Sequence, residues 1–296
     1  MLDKAQSLDV DEVFFDLEDA VAPDAKDSAR DNVVAAARDG EWSGKTVGVR
    51  VNDWSTQWTH RDVVDVITAA GEHIDVVILP KAEAPAHVSA LDLLLSQVEQ
   101  AAGLDVGRIG LEVQIESAQG LMNVAAIAAA SDRTESLVFG PADFMASVNM
   151  RGLVVGEQPD GYDVGDAYHF VLMGILVAAR ANGLQAIDGP HLQVRDVDGF
   201  RRSARRSAAL GYDGKWVLHP DQVSVANEVF TPSQEDFDRA EAILAAYEHS
   251  TSAAGGHRGA VMLGDEMIDE ASRKMALVVA AKGRVAGLTA THQGAT

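Results

Sequence analysis

Short apolar runs rich in β-branched residues recur along this 296-residue chain, and they constrain its fold more than any other feature. Each run is followed by a polar or Gly/Pro turn. Alanine-rich stretches with helical spacing lie between the runs, for example 61–70, 90–102, 121–130, 167–182 and 197–210. This alternation predicts consecutive βαβ units, and therefore a parallel sheet with helices outside it, for which a barrel is the favoured closure. The seven runs are 13–15, 47–51, 76–79, 109–115, 137–139, 186–187 and 216–218.

The C-terminal part has a different pattern. One helix is predicted over 235–248, a small-residue stretch over 250–260 suggests a mobile connection, and a final helix is predicted over 265–281. We therefore divide the chain into a barrel domain (1–249), a C-terminal segment (250–286) and a disordered tail (287–296).

Composition excludes several classes of partner. A formal net charge of −21 repels phosphate backbones and anionic lipid, which argues against nucleic acid or a membrane as the main partner. The absence of cysteine excludes disulfides, thiolate nucleophiles and sulfur-ligated metals. No signal-peptide pattern and no apolar run of about 18 residues is present, so a cytoplasmic protein is expected. Common dinucleotide, nucleoside triphosphate, zinc protease and serine hydrolase motifs are also missing.

Acidic residues dominate the positions just after the predicted strands, where the active site of a parallel barrel forms. Crowded carboxylates repel one another, and a hard divalent cation such as Mg²⁺ relieves that repulsion. Glu116 and Asp143 are the predicted metal ligands, although Asp143 could equally be a helix N-cap. Glu116 directly follows the most apolar strand, where an unpaired charge is costly. The residues after the strands include Asp16, Glu18, Asp19, Arg50, Asn52, Lys81, Glu116, Asp143, Asp188 and His219.

The basic residues at these positions have two interpretations each. Arg50 could bind a carboxylate or thioester oxygen, or form a salt bridge to the acidic residues. Lys81 could neutralise the acidic residues or contact phosphate, and the structural role is favoured. Lys81, Glu18 and Asp19 are therefore predicted to support the site rather than bind the metal directly, with Asp19 the first choice for holding a metal-bound water. Lys215 precedes its predicted strand and is therefore expected at the amino ends of the strands, on the stability face opposite the active site.

Seven segments in the same order resemble the citrate lyase β-subunit family of CoA ester lyases, within the HpcH/HpaI aldolase superfamily. The resemblance extends to about Tyr247 and is greatest to malyl-CoA, β-methylmalyl-CoA and citramalyl-CoA lyases. It implies a (β/α)8 TIM barrel with a C-terminal helical lid, of which the first strand is not readable in this chain. The segments are VFFDLEDAVAPDAKDSAR, VGVRVN, VVILPKAE, VQIESAQGL, FGPADFMAS, AIDGP and KWVLHPDQV.

The resemblance also implies site residues. Glu116 and Asp143 would hold Mg²⁺ or Mn²⁺, Arg50 would contact acyl or keto-acid oxygens, and Asp269 of the lid would be the acid/base group. Without the resemblance, Asp269 would be interpreted as a solvent-facing helix residue. The lid is implied to reach a neighbouring subunit of a homotrimer or homohexamer. Three further residues, Pro141, Ala142 and His219, are predicted to contact substrate, with a packed structural histidine as the alternative for His219.

The predicted function is therefore magnesium-dependent cleavage or condensation of a 3-hydroxyacyl-CoA, such as malyl-CoA to acetyl-CoA and glyoxylate. β-Methylmalyl-CoA and citramalyl-CoA are equally compatible substrates. Two alternatives stay open: a malyl-CoA thioesterase, because the same site could admit water to the carbonyl, and a citryl-carrier-protein lyase subunit of a larger complex.

Overall fold

A computed structural model describes residues 2–291 of the chain. The chain divides into two compact units, Met1–Ala226 and Asn227–Thr296. The division lies within a helix at 220–230, whereas the sequence prediction placed the domain boundary at 249/250. Among the described residues, no helix combines the length and apolar character needed to span a bilayer.

The first unit is built on one parallel sheet whose seven strands are neighbours in chain order. A helix follows each strand, so every connection is a βα unit of the predicted kind. The strands are β1 (Glu12–Asp16), β2 (Thr46–Arg50), β3 (Val76–Leu79), β4 (Gly110–Ile115), β5 (Thr134–Phe139), β6 (Gln185–Asp188) and β7 (Gly214–Lys215).

The helices of this unit cover the outside of the sheet. Apolar side chains on their inner faces, such as Val63, Val66 and Ile67, are fully or almost fully buried. The helices are α1 (Leu2–Gln6), α2 (Lys26–Asp39), α3 (Thr59–Ala70), α4 (Pro85–Ala102), α5 (Ala118–Met122), α6 (Val124–Ala128), α7 (Pro141–Ser147), α8 (His169–Ala181), α9 (Val197–Leu210) and α10 (Pro220–Phe230).

The sheet is curled. Phe14 belongs to the edge strand β1 and Trp216 follows the opposite edge strand β7, yet their ring centroids are only 4.4 Å apart. Gly48 on β2 lets the neighbouring strands pack closely, because a Cβ there would lie 3.1 Å from the Cβ of Phe14 and 3.1 Å from Cγ2 of Val76. The α/β parallel sheet predicted from sequence is confirmed. Within residues 2–291 the parallel sheet has no eighth strand, so the closed barrel stays a prediction.

Six predicted strands coincide with observed ones, and the seventh prediction is wrong. The strand is Gly214–Lys215, and the apolar run 216–218 comes after it. Lys215 therefore does not lie at the amino ends of the strands, opposite the candidate site. It pairs in register with Asp188, the last residue of β6, at the carboxyl end of the sheet.

The second unit contains a helical pair and a hairpin. Phe237, Ala240, Ala276 and Ala280 form its core, with Leu288 packed against it. The predicted final helix starts later than expected, because a hairpin closed by Gly264 (φ 61°) occupies the residues before it. Of the predicted tail, Thr291 donates its backbone N–H to Asp238 at 2.9 Å, and 292–296 lie outside the described residues. The elements are α11 (Gln234–Thr251), β8 (Val261–Leu263), β9 (Glu266–Ile268) and α12 (Glu270–Val285).

Candidate functional site

Two neighbouring strands of the sheet end in an ion pair. Asp16 and Arg50 are register partners at the carboxyl ends of β1 and β2. Arg50 donates to both carboxylate oxygens of Asp16, from Nε at 2.9 Å and from Nη2 at 2.6 Å. Burial raises the pKa of Asp16, but the hydrogen bonds and charge of Arg50 outweigh it, so the pKa lies below its ordinary value. The salt-bridge alternative for Arg50 is thus observed, and Asp16 is its main partner.

Glu18 is buried between two cations. Its Oε2 lies 3.0 Å from Nη1 of Arg50, and its Oε1 accepts from Nζ of Lys81 at 2.6 Å. The same ammonium reaches Asp19 at 3.3 Å. Burial raises the pKa of Glu18 despite both cations. Each of Asp16, Glu18 and Asp19 therefore forms an ion pair with Arg50 or Lys81, and Glu18 pairs with both.

Glu116 follows β4 and is 3% exposed. Oε1 accepts the backbone N–H of Lys81 at 2.6 Å, and Oε2 accepts Nε2 of Gln114 at 3.2 Å. Burial, followed by repulsion from Glu18 and then Asp143, raises the pKa of Glu116 to about 8. Within residues 2–291, Glu116 has hydrogen-bond donors but no contact ion pair with a basic side chain.

Asp143 lies in the first turn of α7, close enough to Glu116 for its charge to raise the pKa of that carboxyl group. Gly140, at the start of this helix, leaves room for the carboxylate of Glu116, because a Cβ at that position would lie 2.2 Å from Oε2 of Glu116. The capping alternative for Asp143 is wrong: Gly140 is the N-cap, and no side chain caps this helix. Like Glu116, Asp143 forms no contact ion pair with the basic side chains of the described chain.

The structure therefore separates the predicted acidic residues into two sets. Three form contact ion pairs with basic side chains, whereas Glu116 and Asp143 form none within residues 2–291 and lie near enough for the charge of Asp143 to act on Glu116. No group of three or more histidine, aspartate or glutamate side chains capable of holding a metal occurs among residues 2–291. Two carboxylates still fit Mg²⁺, which usually binds through one or two carboxylates and fills its remaining positions with water and substrate oxygens.

Three residues that the sequence analysis overlooked support the site. Lys26 is buried and donates Nζ to the backbone oxygens of Leu17 and Glu18 at 2.7 and 2.8 Å, which fixes the loop that carries Glu18. Gln114 bridges Arg50, at 3.4 Å, to Glu116. The ring of Trp216 lies 5.6 Å from the Arg50 guanidinium. The inward alternation of β4 could have indicated Gln114, but nothing local to Lys26 or Trp216 indicates its contacts.

The remaining predicted residues lie elsewhere. Pro141 is buried at the start of α7, and Ala142 is exposed beside it. His219 accepts the backbone N–H of Asp221 through Nδ1 at 3.2 Å, before α10. In the second unit, Asp269 is the N-cap of α12, and Oδ1 accepts the backbone N–H groups of Ala271 and Ser272.

A curled parallel α/β sheet with carboxylates gathered at the carboxyl ends of its strands is the arrangement of an α/β enzyme whose active site lies at that end of the sheet. The chain belongs to the HpcH/HpaI aldolase/citrate lyase family, whose model matches residues 1–220. The resemblance seen in the sequence is thereby confirmed.

Relatives are similar along nearly the whole chain. An L-malyl-CoA/β-methylmalyl-CoA lyase of Cereibacter sphaeroides is 39% identical over 287 residues, 94% of this chain and 89% of the relative. A citrate lyase β subunit of Leuconostoc mesenteroides is 31% identical over 269 residues, 91% of this chain and 84% of the relative. The structure of CitE from Mycobacterium tuberculosis with magnesium, acetoacetate and coenzyme A gives a TM-score of 0.71 at 29% identity. That match covers 95% of this chain and 91% of CitE. The family is one of carbon–carbon lyases.

Proposed function

We propose that this protein is a magnesium-dependent carbon–carbon lyase that cleaves or forms short 3-hydroxyacyl-CoA thioesters, malyl-CoA and β-methylmalyl-CoA first among them. The observation that carries the proposal is the separation of carboxylates. Asp16, Glu18 and Asp19 each form an ion pair with Arg50 or Lys81, whereas Glu116 and Asp143 have no contact ion pair with a basic side chain among residues 2–291. The names of the relatives supply the substrate class.

Glu116 and Asp143 would hold Mg²⁺, with Mn²⁺ as a substitute of the same ligand preference. The raised pKa of Glu116 fits this role, because burial and the charges of Glu18 and Asp143 outweigh the opposing effect of Lys81. When bound, the ion would supply Lewis-acid polarisation of the keto-acid oxygens and a template for the substrate.

Arg50 would bind a substrate oxygen without releasing Asp16. A guanidinium has five N–H donors, and the contacts with Asp16, Glu18 and Gln114 leave at least one of them available. In the cleavage direction, negative charge grows on the acyl-CoA fragment as the bond between its α-carbon and the hydroxyl-bearing carbon breaks. A fixed cation at that point stabilises the transition state by a few kcal/mol, roughly 3–4 for one well-placed donor.

Asp269 would accept the hydroxyl proton during cleavage and return a proton to the enolate carbon, which balances the reaction. Oδ1 caps α12, and a second carboxylate oxygen remains to carry the proton. We further propose that 250–286 acts as a lid, that it reaches a neighbouring subunit's site in a homotrimer or homohexamer, and that Pro141, Ala142 and His219 contact substrate. The curled sheet would form part of a closed eight-stranded barrel, since two open edges would expose unpaired backbone.

The test is an assay of malyl-, β-methylmalyl- and citramalyl-CoA, with and without Mg²⁺, followed by product identification. Acetyl- or propionyl-CoA with glyoxylate, or acetyl-CoA with pyruvate, is the expected outcome. Free CoA with intact malate would identify a thioesterase instead. Activity only on an acyl-carrier-protein thioester would identify a carrier-dependent subunit. Glu116→Gln should abolish both the Mg²⁺ response and Mg²⁺ binding in calorimetry, with Glu41→Gln, an exposed glutamate, as the control.

A further inference from the structure

Lys81 is one of three non-glycine residues with a positive φ among residues 2–291, with φ at 50°. The left-handed region costs an ordinary side chain about 1–2 kcal/mol, and it persists where the surrounding structure requires it. The other two residues are Asn149 and His257, at 51° and 53°. Asparagine tolerates this conformation well, so an explanation is needed above all for the lysine at the candidate site.

The left-handed φ of Lys81 sets the direction of its backbone amide relative to its side chain and to the backbone that follows. Its N–H donates to Oε1 of Glu116 at 2.6 Å, across from β3 to β4. The next amide, of Ala82, donates to the backbone oxygen of Gln114 at 3.3 Å, and the side chain of Gln114 donates to the other oxygen of Glu116. Each oxygen of the Glu116 carboxylate therefore accepts one hydrogen bond. The shorter of the two comes from the amide of Lys81, in the turn after β3.

The side chain of Lys81 anchors the same turn. Its ammonium is bound to Glu18 at 2.6 Å and to Asp19 at 3.3 Å. These contacts hold the residue in place while its backbone adopts the unfavourable conformation. The amide and the ammonium thus act on different carboxylates, so substitutions can separate their effects.

We propose that Lys81 is a positioning residue whose left-handed backbone amide sets the orientation of Glu116 for metal binding. The inference rests on the proposed function for its metal, but the contact between Lys81 and Glu116 is independent of any metal. Hydrogen-bond partners of metal ligands typically contribute about 10- to 100-fold to metal affinity.

The experiment compares Lys81→Asn with Lys81→Val. Neither variant has an ammonium group, but asparagine adopts the left-handed conformation and valine strongly resists it. Mg²⁺ affinity measured by isothermal titration calorimetry at one fixed pH should be about 10- to 100-fold weaker for Lys81→Val than for Lys81→Asn. His257→Asn and His257→Val form the matched control pair, and their Mg²⁺ affinities should be equal.

Equal Mg²⁺ affinity of Lys81→Asn and Lys81→Val would overturn the inference. Absence of Mg²⁺ binding by the wild-type protein would overturn the proposed function instead, and a double-mutant cycle in chemical denaturation would then decide the role of Lys81. In that cycle, the stability difference between the two variants should shrink when Glu116 is replaced by alanine. An unchanged difference would show that the amide of Lys81 does not act on Glu116.

Discussion

Arg50 and Asp16 form a two-bonded ion pair between register partners at the carboxyl ends of adjacent strands. The pair orients the guanidinium, and the ring of Trp216, 5.6 Å away, limits its movement on another side. Asp16 therefore fixes the direction in which the free donors of Arg50 point.

Asp16→Asn should lower kcat/KM by roughly one to two orders of magnitude, because Arg50 loses a charged acceptor and its fixed orientation. The neutral amide still accepts a backbone N–H, so the fold should persist. Steady-state kinetics with a CoA thioester measures the effect, and Asp31→Asn, an exposed aspartate, is the control. Wild-type kinetics in Asp16→Asn would contradict an orienting role.

The sequence was sufficient to locate six strands, because each contains a short apolar run with at least one buried apolar side chain. It was insufficient for β7, since Gly214 and Lys215 form no apolar run. The apolar run after them begins with Trp216, whose ring packs against Phe14 instead of belonging to the strand. The hairpin of β8 and β9 was missed because two three-residue strands give too short an alternating pattern.

The candidate site was predictable in its residue types and in their placement after the strands. Which acidic side chain pairs with which basic one was not predictable, because the choice of Asp16 as the partner of Arg50 depends on strand register. The bond from Lys81 to Glu116 depends on a left-handed backbone that lysine rarely adopts. Such contacts follow from the assembled sheet rather than from local sequence.

A second group of acidic side chains makes stability sensitive to pH. Burial first, and then the charges of Glu112, Glu135 and Asp75, raise the pKa of Glu12 to about 9. The folded protein therefore keeps a proton that the unfolded chain loses near its ordinary value of 4.5. The resulting stability is complete below about pH 4.5 and is lost as pH rises toward about 9.

Glu12→Gln should consequently raise the free energy of unfolding at mildly alkaline pH, by roughly 1–3 kcal/mol, and leave it nearly unchanged at acidic pH. The gain in free energy of unfolding stays below the value that the full pKa shift of Glu12 would give, because the neighbouring acidic groups share the bound proton. Urea denaturation at a series of pH values measures it. Glu41→Gln, at an exposed glutamate, should follow the wild-type pH profile. If the free energy of unfolding of Glu12→Gln changed with pH in the same way as that of the wild type, Glu12 would not be the source of the pH dependence.

Lys215 and Asp188 form a buried ion pair of 2.7 Å, and the ammonium also donates to the backbone oxygen of Gly189. Burial lowers the pKa of Lys215, although Asp188 opposes the change. Lys215→Met should cost about 3–5 kcal/mol of stability, because it leaves the carboxylate buried without its cation.

The double variant Lys215→Met with Asp188→Asn should be more stable than Lys215→Met alone, since no buried charge then remains. Denaturant titration of the four proteins in this cycle gives the coupling between the two residues. Additive losses would show that the two side chains do not depend on each other.

Asp269 has a capping function that can be separated from the proposed proton transfer. Asparagine and aspartate are comparable N-caps, so Asp269→Asn should keep the stability of α12, whereas Asp269→Ala should lose about 1 kcal/mol. Both variants lose the titrating carboxylate. Turnover should therefore fall by a factor of about 100 to 10,000 in both, with Mg²⁺ binding retained. If Asp269→Asn turns over at the wild-type rate while Asp269→Ala is only less stable, capping is the whole role of this residue, and the acid/base group must be sought elsewhere.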